Sequence, residues 1–469
     1  MLEYDSYYVF NIGDKYFLFD IFNMECVYIN KSTYEALKKK DEGLLDSQTD
    51  SVLKGMLEKQ LFFYDTQLLR FNKDESTDVL FSLAPVMECN LRCKYCFADA
   101  GKKYCGDTRE FTVQTICDIA KYINNRFPNA KKIRLDFVSG GEPLLNFELT
   151  KKVIETIKKY FEDKNKKIDI WLCTNGTLIT SDILHWLDNN GVNIGISLDG
   201  DQTINDENRI YPSNQGTYFD VKKNISIIKN DRTLTNQFKY LWGLCVVTPN
   251  TRSLVDVLRH HKNLGFNNIQ MKFVRLSKNH PLSFGYNNIS LAYKLIDELL
   301  DYVQSSLLEN ELENVIFFAN NNDHIGKILI RLILKKPFIY RCQAGRNKLS
   351  FSPNGDIYPC DSFIGNPNYV LGNIYDNVMN YKLINDFEFL SVINRKKCKS
   401  CWARFVCGGD CFHNSFCAND TMDTPDDIFC KITKHTIVKS LSVLNNVSLC
   451  NKKIISELRN FLIARERVR

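Results

Sequence analysis

The chain of 469 residues lacks the features that take a protein to a membrane or to nucleic acid. No apolar run approaches the ~20 residues that cross a bilayer. The N-terminus, Met1-Leu-Glu-Tyr-Asp5, has neither the basic start nor the apolar stretch of a cleavable signal peptide. These absences lead to an expectation of a cytoplasmic protein with no membrane partner. Lys and Arg number 61 against 55 Asp and Glu, a formal charge of +6, and the basic residues are scattered. Without a dense basic block interleaved with aromatics, nucleic acid is not an expected partner. Internal repeats and low-complexity segments are also missing.

What remains is an ordinary globular composition, 44% hydrophobic and 25% charged, long enough for two or three domains. One residue type is abundant: there are 17 cysteines. In a reducing compartment so many thiols point to metal ligation, not to a disulfide framework. They gather at 89–96 and 342–430, which agrees with that reading.

Residues 1–78 read as a small separate module. Tyr7–Asn11, Lys15–Asp20 and Glu25–Ile29 have strand character, with a turn at Gly13-Asp14. Ser32, with Glu35 three residues on, reads as an N-cap and capping box for a helix over 33–40. A second helix is expected near 47–59, giving a winged-helix-like layout. Over 79–310 strands and helices then alternate. Strands are expected at 79–86, 132–138, 168–173, 193–198, 240–247 and 269–274. Helices are expected at 112–127, 147–163, 180–190, 218–230 and 251–265. Six such units predict an α/β fold with a parallel sheet, open or curled into a partial barrel. Ligands in such sheets bind at the carboxyl ends of the strands. Residues 311–341 read as a helical connector, 342–440 as the second cysteine-rich domain, and 441–469 as a C-terminal helix.

The most informative run is Glu88-Cys-Asn-Leu-Arg-Cys-Lys-Tyr-Cys-Phe97, directly after the first of these strands. Three thiolates spaced as Cys89, Cys93 and Cys96 can hold three corners of a [4Fe–4S] cube and leave the fourth iron open to a small molecule. With Tyr95 and Phe97 beside the third cysteine, the run resembles the signature of the radical S-adenosylmethionine (SAM) enzymes. The resemblance implies a partial (β/α)6 TIM-type barrel. It also implies that the second strand's Gly140-Gly141-Glu142-Pro143 holds the SAM amino group. Consecutive glycines let backbone approach a ligand closely, and Glu142 can bind an ammonium. On the same resemblance Asn175, Ser197 and Asp199 approach the ribose or methionine part. Arg209 pairs the SAM carboxylate, and Val247, with Val246, packs the adenine.

The second group runs Cys342, Cys360, Cys398, Cys401, Cys407, Cys411 and Cys430. Its CxxC pair would also suit zinc. The whole pattern resembles the SPASM domain, which carries auxiliary iron–sulfur clusters in peptide-modifying radical SAM enzymes. That resemblance implies a distal cluster on Cys398, Cys401, Cys407 and Cys430, and a nearer one on Cys342, Cys360 and Cys411. No cysteine lies between Ala344 and Pro359, where some relatives supply a fourth ligand. The nearer cluster therefore has an iron open to a substrate thiolate, or Cys417 completes it. Asp361, in a Pro-Cys-Asp context, matches a catalytic base of the relatives that oxidise sulfatase active sites. The remaining cysteines, among them Cys26, Cys117, Cys173, Cys245 and Cys450, are expected mostly in the core.

The expected cofactors are SAM and three [4Fe–4S] clusters. The expected chemistry begins with one electron passed to SAM, which breaks to methionine and a 5′-deoxyadenosyl radical that abstracts hydrogen. The N-terminal module resembles winged-helix elements that bind leader peptides by adding a strand to a sheet edge. The implied function is a maturase forming Cys sulfur-to-carbon thioether crosslinks in a Cys-containing precursor peptide with a leader. The alternatives are an anaerobic sulfatase-maturing enzyme, converting Cys or Ser to formylglycine, and a carbon–carbon or ether crosslinking enzyme. An external electron donor of the flavodoxin or ferredoxin type and a monomer or homodimer complete the expectation.

Overall fold

The structure, a computed structural model, describes residues 7–41, 78–100, 110–138, 140–235, 238, 240–376 and 378–468. The helix expected near 47–59 and Cys105 lie outside the described residues. At the N-terminus β1 (Tyr7–Ile12), β2 (Lys15–Asp20) and β3 (Glu25–Ile29) form an antiparallel sheet in that order. The helix after it, Lys31–Asp41, starts earlier than expected because Asn30 caps it, not Ser32. The Asn30 side chain accepts from Thr33 N at 2.8 Å and from the Ser32 hydroxyl at 2.7 Å.

Six parallel strands follow: β4 (Asp78–Leu83), β5 (Lys132–Phe137), β6 (Lys167–Thr174), β7 (Val192–Ser197), β8 (Trp242–Val247) and β9 (Asn268–Phe273). Helices connect them, and these form where the sequence marks them. Thr112 caps Val113–Arg126 by accepting from Thr115 N at 3.0 Å, and Ile116, Ile119, Ala120 and Ile123 make its buried stripe. Asn146 caps Phe147–Glu162, which buries Val153, Ile154, Ile157 and Phe161. The strands alternate in a way that decides the site. In β5, Ile133, Leu135 and Phe137 are buried in the main apolar core, while Lys132, Arg134 and Asp136 line a cavity on the other face. In β8, Val247 lies in the core, and Trp242, Leu244 and Val246 line the cavity. Strands as far apart as β4 and β9 line this one cavity, so the sheet is curved around it.

The sheet does not end at β4. After the barrel, β10 (Lys348–Phe351) pairs parallel to β4, and β11 (Asp356–Tyr358) and β12 (Gly372–Asn373) continue it antiparallel. One nine-stranded sheet, β12-β11-β10-β4-β5-β6-β7-β8-β9, therefore spans the barrel and the start of the second cysteine-rich region. The segment read as a connector is a core element. Its helix His324–Leu334 buries Ile325, Ile328, Leu329, Ile330, Leu332 and Ile333. Asp323 caps that helix at Gly326 N and also accepts from Met271 N of β9, both at 2.6 Å. The C-terminal region forms two helices, Asp427–Cys450 and Lys452–Val468; the first carries Cys430 and packs along Ile289–Leu308.

The N-terminal module is not separate. Phe10, Phe17, Phe19, Ile21 and Met24 share a buried cluster with Val392, Ala403, Phe405, Val406, Ile437 and Leu441. Tyr8 stacks on Trp402 with centroids 3.9 Å apart and planes 5° from parallel. Asn445 Nδ2 donates to Cys26 O at 3.1 Å, and the Tyr28 hydroxyl to Asn446 Oδ1 at 2.6 Å. Phe19→Ala opens a cavity in this shared core, and we expect it to cost about 3–5 kcal/mol. Denaturant unfolding should show one transition moved to lower denaturant; a new early transition confined to the N-terminal sheet would contradict the shared core.

Candidate radical and iron–sulfur site

The Cys89–Cys96 loop leaves β4 and is held by backbone. Gly141 N donates to Val86 O and Glu142 N to Glu88 O, both at 2.8 Å. Arg92 N donates to Ile210 O at 2.7 Å and Lys94 N to Asn208 O at 2.9 Å. The two glycines permit a close approach to this loop, and Gly140, Gly141 and Glu142 also line the cavity beside it. A Cβ on Gly141 would stand 1.7 Å from Glu88 O, and Gly140, at φ +91°, has room for none beside Ala84 and Val86. Leu91 N donates to Cys89 Sγ at 3.4 Å and Ala100 N to Cys96 Sγ at 3.3 Å; burial raises the Cys89 thiol and the Leu91 bond opposes it. Burial pushes the Cys93 thiol up to about 11, and nearby Arg209 opposes this.

The three cysteines line a cavity of about 1130 Å³ with Tyr95, Phe97, Pro143, Asn175, Ser197 and Arg209. Other expected contacts fall differently. The Glu142 carboxylate is 2% exposed and taken up by the protein: Oε1 accepts from Thr174 Oγ1 at 2.7 Å and Leu144 N at 3.1 Å, and Oε2 from Asn175 N at 2.7 Å. Burial raises its pKa against those bonds. Asn175 braces the loop, donating to Asn90 Oδ1 at 2.8 Å. Asp199 does not reach the cavity. It is fully buried, accepting from the Tyr95 hydroxyl at 2.5 Å and from Val246 N at 3.0 Å. Arg209 Nη1 donates to the same hydroxyl at 3.0 Å, while its buried Nε has no partner. A carboxylate beneath, a cation above and an orphaned N–H suit the carboxylate end of SAM. Val247 is the remaining correction: it is wholly buried in the core, and Val246 is the β8 valine that faces the cavity.

Cys342 and Asp361 line the same cavity. Asp361 is ion-paired at 2.6 Å with Lys348 of β10, which holds its carboxyl below the usual range despite burial. Sequence reasoning missed Lys348 and the other polar residues that line the barrel lumen, including Arg134, Asp136 and Lys272. The signal was present as polar residues at every second position of β5 and β9.

Among the described residues no group of three His, Cys, Asp or Glu side chains is close enough to chelate a single ion. A cube asks instead for sulfurs that face one another across a larger space. Among the later cysteines, some are close enough to feel one another's charge. Charges on Cys342 and Cys411 both act on Cys360, and those on Cys398, Cys401 and Cys407 all act on Cys430. Cys417 is exposed on the helix Phe412–Asn419, with its sulfur 3.6 Å from His413 Nε2. Of the leftover cysteines Cys245 is buried as expected, while Cys450 is exposed.

Gly141→Ala forces a methyl into the Glu88 carbonyl. We expect the purified variant to retain one cluster's iron less than wild type, measured as iron and sulfide per chain, with SAM binding lost.

Residues 85–233 match the radical SAM superfamily model, and 342–402 match that of the SPASM iron–sulfur cluster-binding domain. A cysteine-type anaerobic sulfatase-maturating enzyme of Clostridium novyi (strain NT) is 25% identical over 77% of this chain and 94% of its own length. Native anSMEcpe with bound AdoMet superposes with a TM-score of 0.62 at 22% identity, covering 79% of this chain and 99% of that one. Streptococcus suis SuiB bound to S-adenosylmethionine gives 0.50 at 16%, covering 90% and 98%. With the CxxxCxxC loop at the carboxyl end of β4 and the second cysteine group starting just before β10, these matches give the chain a radical SAM domain followed by a SPASM domain.

Proposed function

We propose that this enzyme modifies a side chain of a polypeptide, oxidising a Cys or Ser in the manner for which its sulfatase-maturating relatives are named. The observation that carries the reading is the single cavity that joins the Cys89–Cys96 loop to Asp361 and Cys342. Its ≈ 1130 Å³ exceeds the usual range for one small ligand, leaving room for SAM and a peptide segment together. When bound, SAM and a cube on Cys89, Cys93 and Cys96 supply a radical that removes hydrogen from an unactivated carbon. The chain's residues do the rest. Arg209, oriented by Tyr95 and Asp199, fixes the SAM carboxylate. The curved sheet encloses the reacting atoms. Asp361, kept ionised by Lys348, accepts a hydrogen bond from the substrate hydroxyl or thiol and takes its proton as the oxidised carbon forms.

A second reading is thioether crosslinking of a leader-bearing precursor peptide. It is favoured by the nearer sulfur set, where three cysteines, Cys342, Cys360 and Cys411, act on one another and leave a place for a substrate thiolate. The mass of the product separates the two. Anaerobically reconstituted enzyme, SAM and reductant are incubated with a Cys-containing peptide, and disulfides are then reduced. Oxidation to formylglycine removes the sulfur and leaves an aldehyde that a hydrazide captures. Crosslinking removes two hydrogens and leaves a thiol that no longer alkylates.

Two variants test the residue roles. Cys89→Ala should abolish SAM cleavage in either reading. Asp361→Asn leaves the part-buried Lys348 without its counter-charge and should lower the denaturation midpoint. If Asp361 takes a proton, turnover should also fall by about 10²–10⁴-fold with SAM cleavage preserved. Unchanged turnover in folded Asp361→Asn would leave the residue a structural partner of Lys348 alone.

A further inference from the structure

The helix His324–Leu334 sets His324, Lys327 and Arg331 along one face, at three- and four-residue spacing. Arg331 is 1% exposed and His324 5%. Both ring nitrogens of His324 and two guanidinium nitrogens of Arg331, Nε and Nη2, have no hydrogen-bond partner. His324 is held neutral by burial and by the cations around it, and packs edge-on against Phe273 and Phe429. Lys327 and Arg331 are different. Among the described residues no carboxylate stands within ion-pairing distance of either, or of Arg341 nearby. Gathering cations inside a protein without an anion costs several kcal/mol each. An anion belongs there.

The hydrogen bonds show which one. Arg331 Nη1 donates to Val406 O at 2.6 Å and to Cys407 O at 2.8 Å. Lys327 Nζ donates to Arg341 O at 3.2 Å, on the residue before Cys342. Cys407 belongs to the distal sulfur set and Cys342 to the nearer one. One helix face therefore touches the segments of both sets: Lys327 meets the residue before Cys342, and Arg331, four residues on, meets Cys407 itself.

We propose that Lys327 and Arg331 are the shared counter-charges of the two auxiliary clusters, placed so that both take up an electron more readily. This rests on the cysteine assignment above. Reduction adds negative charge to a cluster, so a fixed cation beside it favours the reduced form and raises the potential. Both residues are positioning residues: they act on the clusters and touch no substrate.

The test is an EPR-monitored redox titration of the full-length reconstituted protein, with iron counted, for wild type, K327M, K327Q and K327R. In the two neutral variants the reduced-to-oxidised ratio of the auxiliary clusters at fixed potential should fall about tenfold, a shift of about 59 mV downward. The Cys89–Cys96 cluster should titrate as in wild type, and K327R should keep wild-type potentials. Unmoved auxiliary clusters in both neutral variants, or an equal shift at the Cys89–Cys96 cluster, overturn the inference. If neither neutral variant loads its auxiliary clusters while K327R does, charge is needed for assembly and the inference stands. Loss in K327R as well makes the requirement one of shape and overturns it. Wild type with iron for one cluster only overturns the cysteine assignment itself, and the iron count alone distinguishes that result.

Discussion

Charge that must sit inside the protein is the constraint on which this structure turns. Thiolates bound to iron bring negative charge under the surface, and low-dielectric surroundings tolerate it only beside cations. The chain meets this locally at each sulfur set. Arg209 lowers Cys93, Lys348 lowers Cys360, Arg275 lowers Cys411 and Arg395 lowers Cys398, each against the upward push of burial. The cations are themselves anchored. Arg275 pairs with Asp410 at 2.7 Å, and Arg395 donates to Asp410 O at 2.9 Å and also to Met422 O. A buried carboxylate is held either beside a cation, as with Asp361 on Lys348, or by protein donors, as with Glu142 and Asp323.

The continuous sheet converts this local chemistry into one site. Because β10 pairs with β4 in register Lys348 to Leu80, the first residue of β10 lies beside the wall of the barrel. Lys348 then brings Asp361 to the lumen, and the turn before β10 brings Cys342. Had the second cysteine region been a domain tethered by a linker, nothing would fix its distance from the Cys89–Cys96 loop. A shared ladder fixes it with backbone hydrogen bonds, which side-chain substitution does not remove. The buried helix His324–Leu334, tied to β9 through Asp323, braces the opposite side.

Much of this was legible in the sequence, and the rest was hidden for physical reasons. The six strands and their helices followed from periodicity and caps, since Thr112, Asn146 and Ser253 all act locally. The grouping of the seven later cysteines into two sets came from resemblance, and it stands as part of the proposal. What failed were directions. Val247 and Val246 differ only in which face of β8 they occupy, and the alternation from Trp242 through Leu244 decides it. Asp199 and Glu142 look like ligand contacts in a linear motif, but burial and protein donors have taken their oxygens. The docking of β1–β3 depends on residues some 390 positions away, as in the stack of Tyr8 on Trp402, and no local pattern carries such a contact.

The same constraint links folding to metal. Anything bound by the native state alone stabilises it, and thiolates released from their protons make metal uptake and folding one equilibrium. Here the coupling reaches beyond the ligands. The helix bearing Lys327 and Arg331 packs against β9, against the short helix Arg404–Cys407 and against Asp427–Cys450. That last helix also carries Cys430 and contacts the N-terminal sheet through Asn445. Among the described residues Lys327 and Arg331 face no carboxylate, so a bound anion would relieve the charge on the helix that packs against those three elements. On the cluster assignment proposed above, the second cysteine region, the lumen wall formed by β10 and the seat of the N-terminal sheet respond together to loading. A chain built this way keeps its radical-generating loop and its sulfur-lined wall from being assembled out of register.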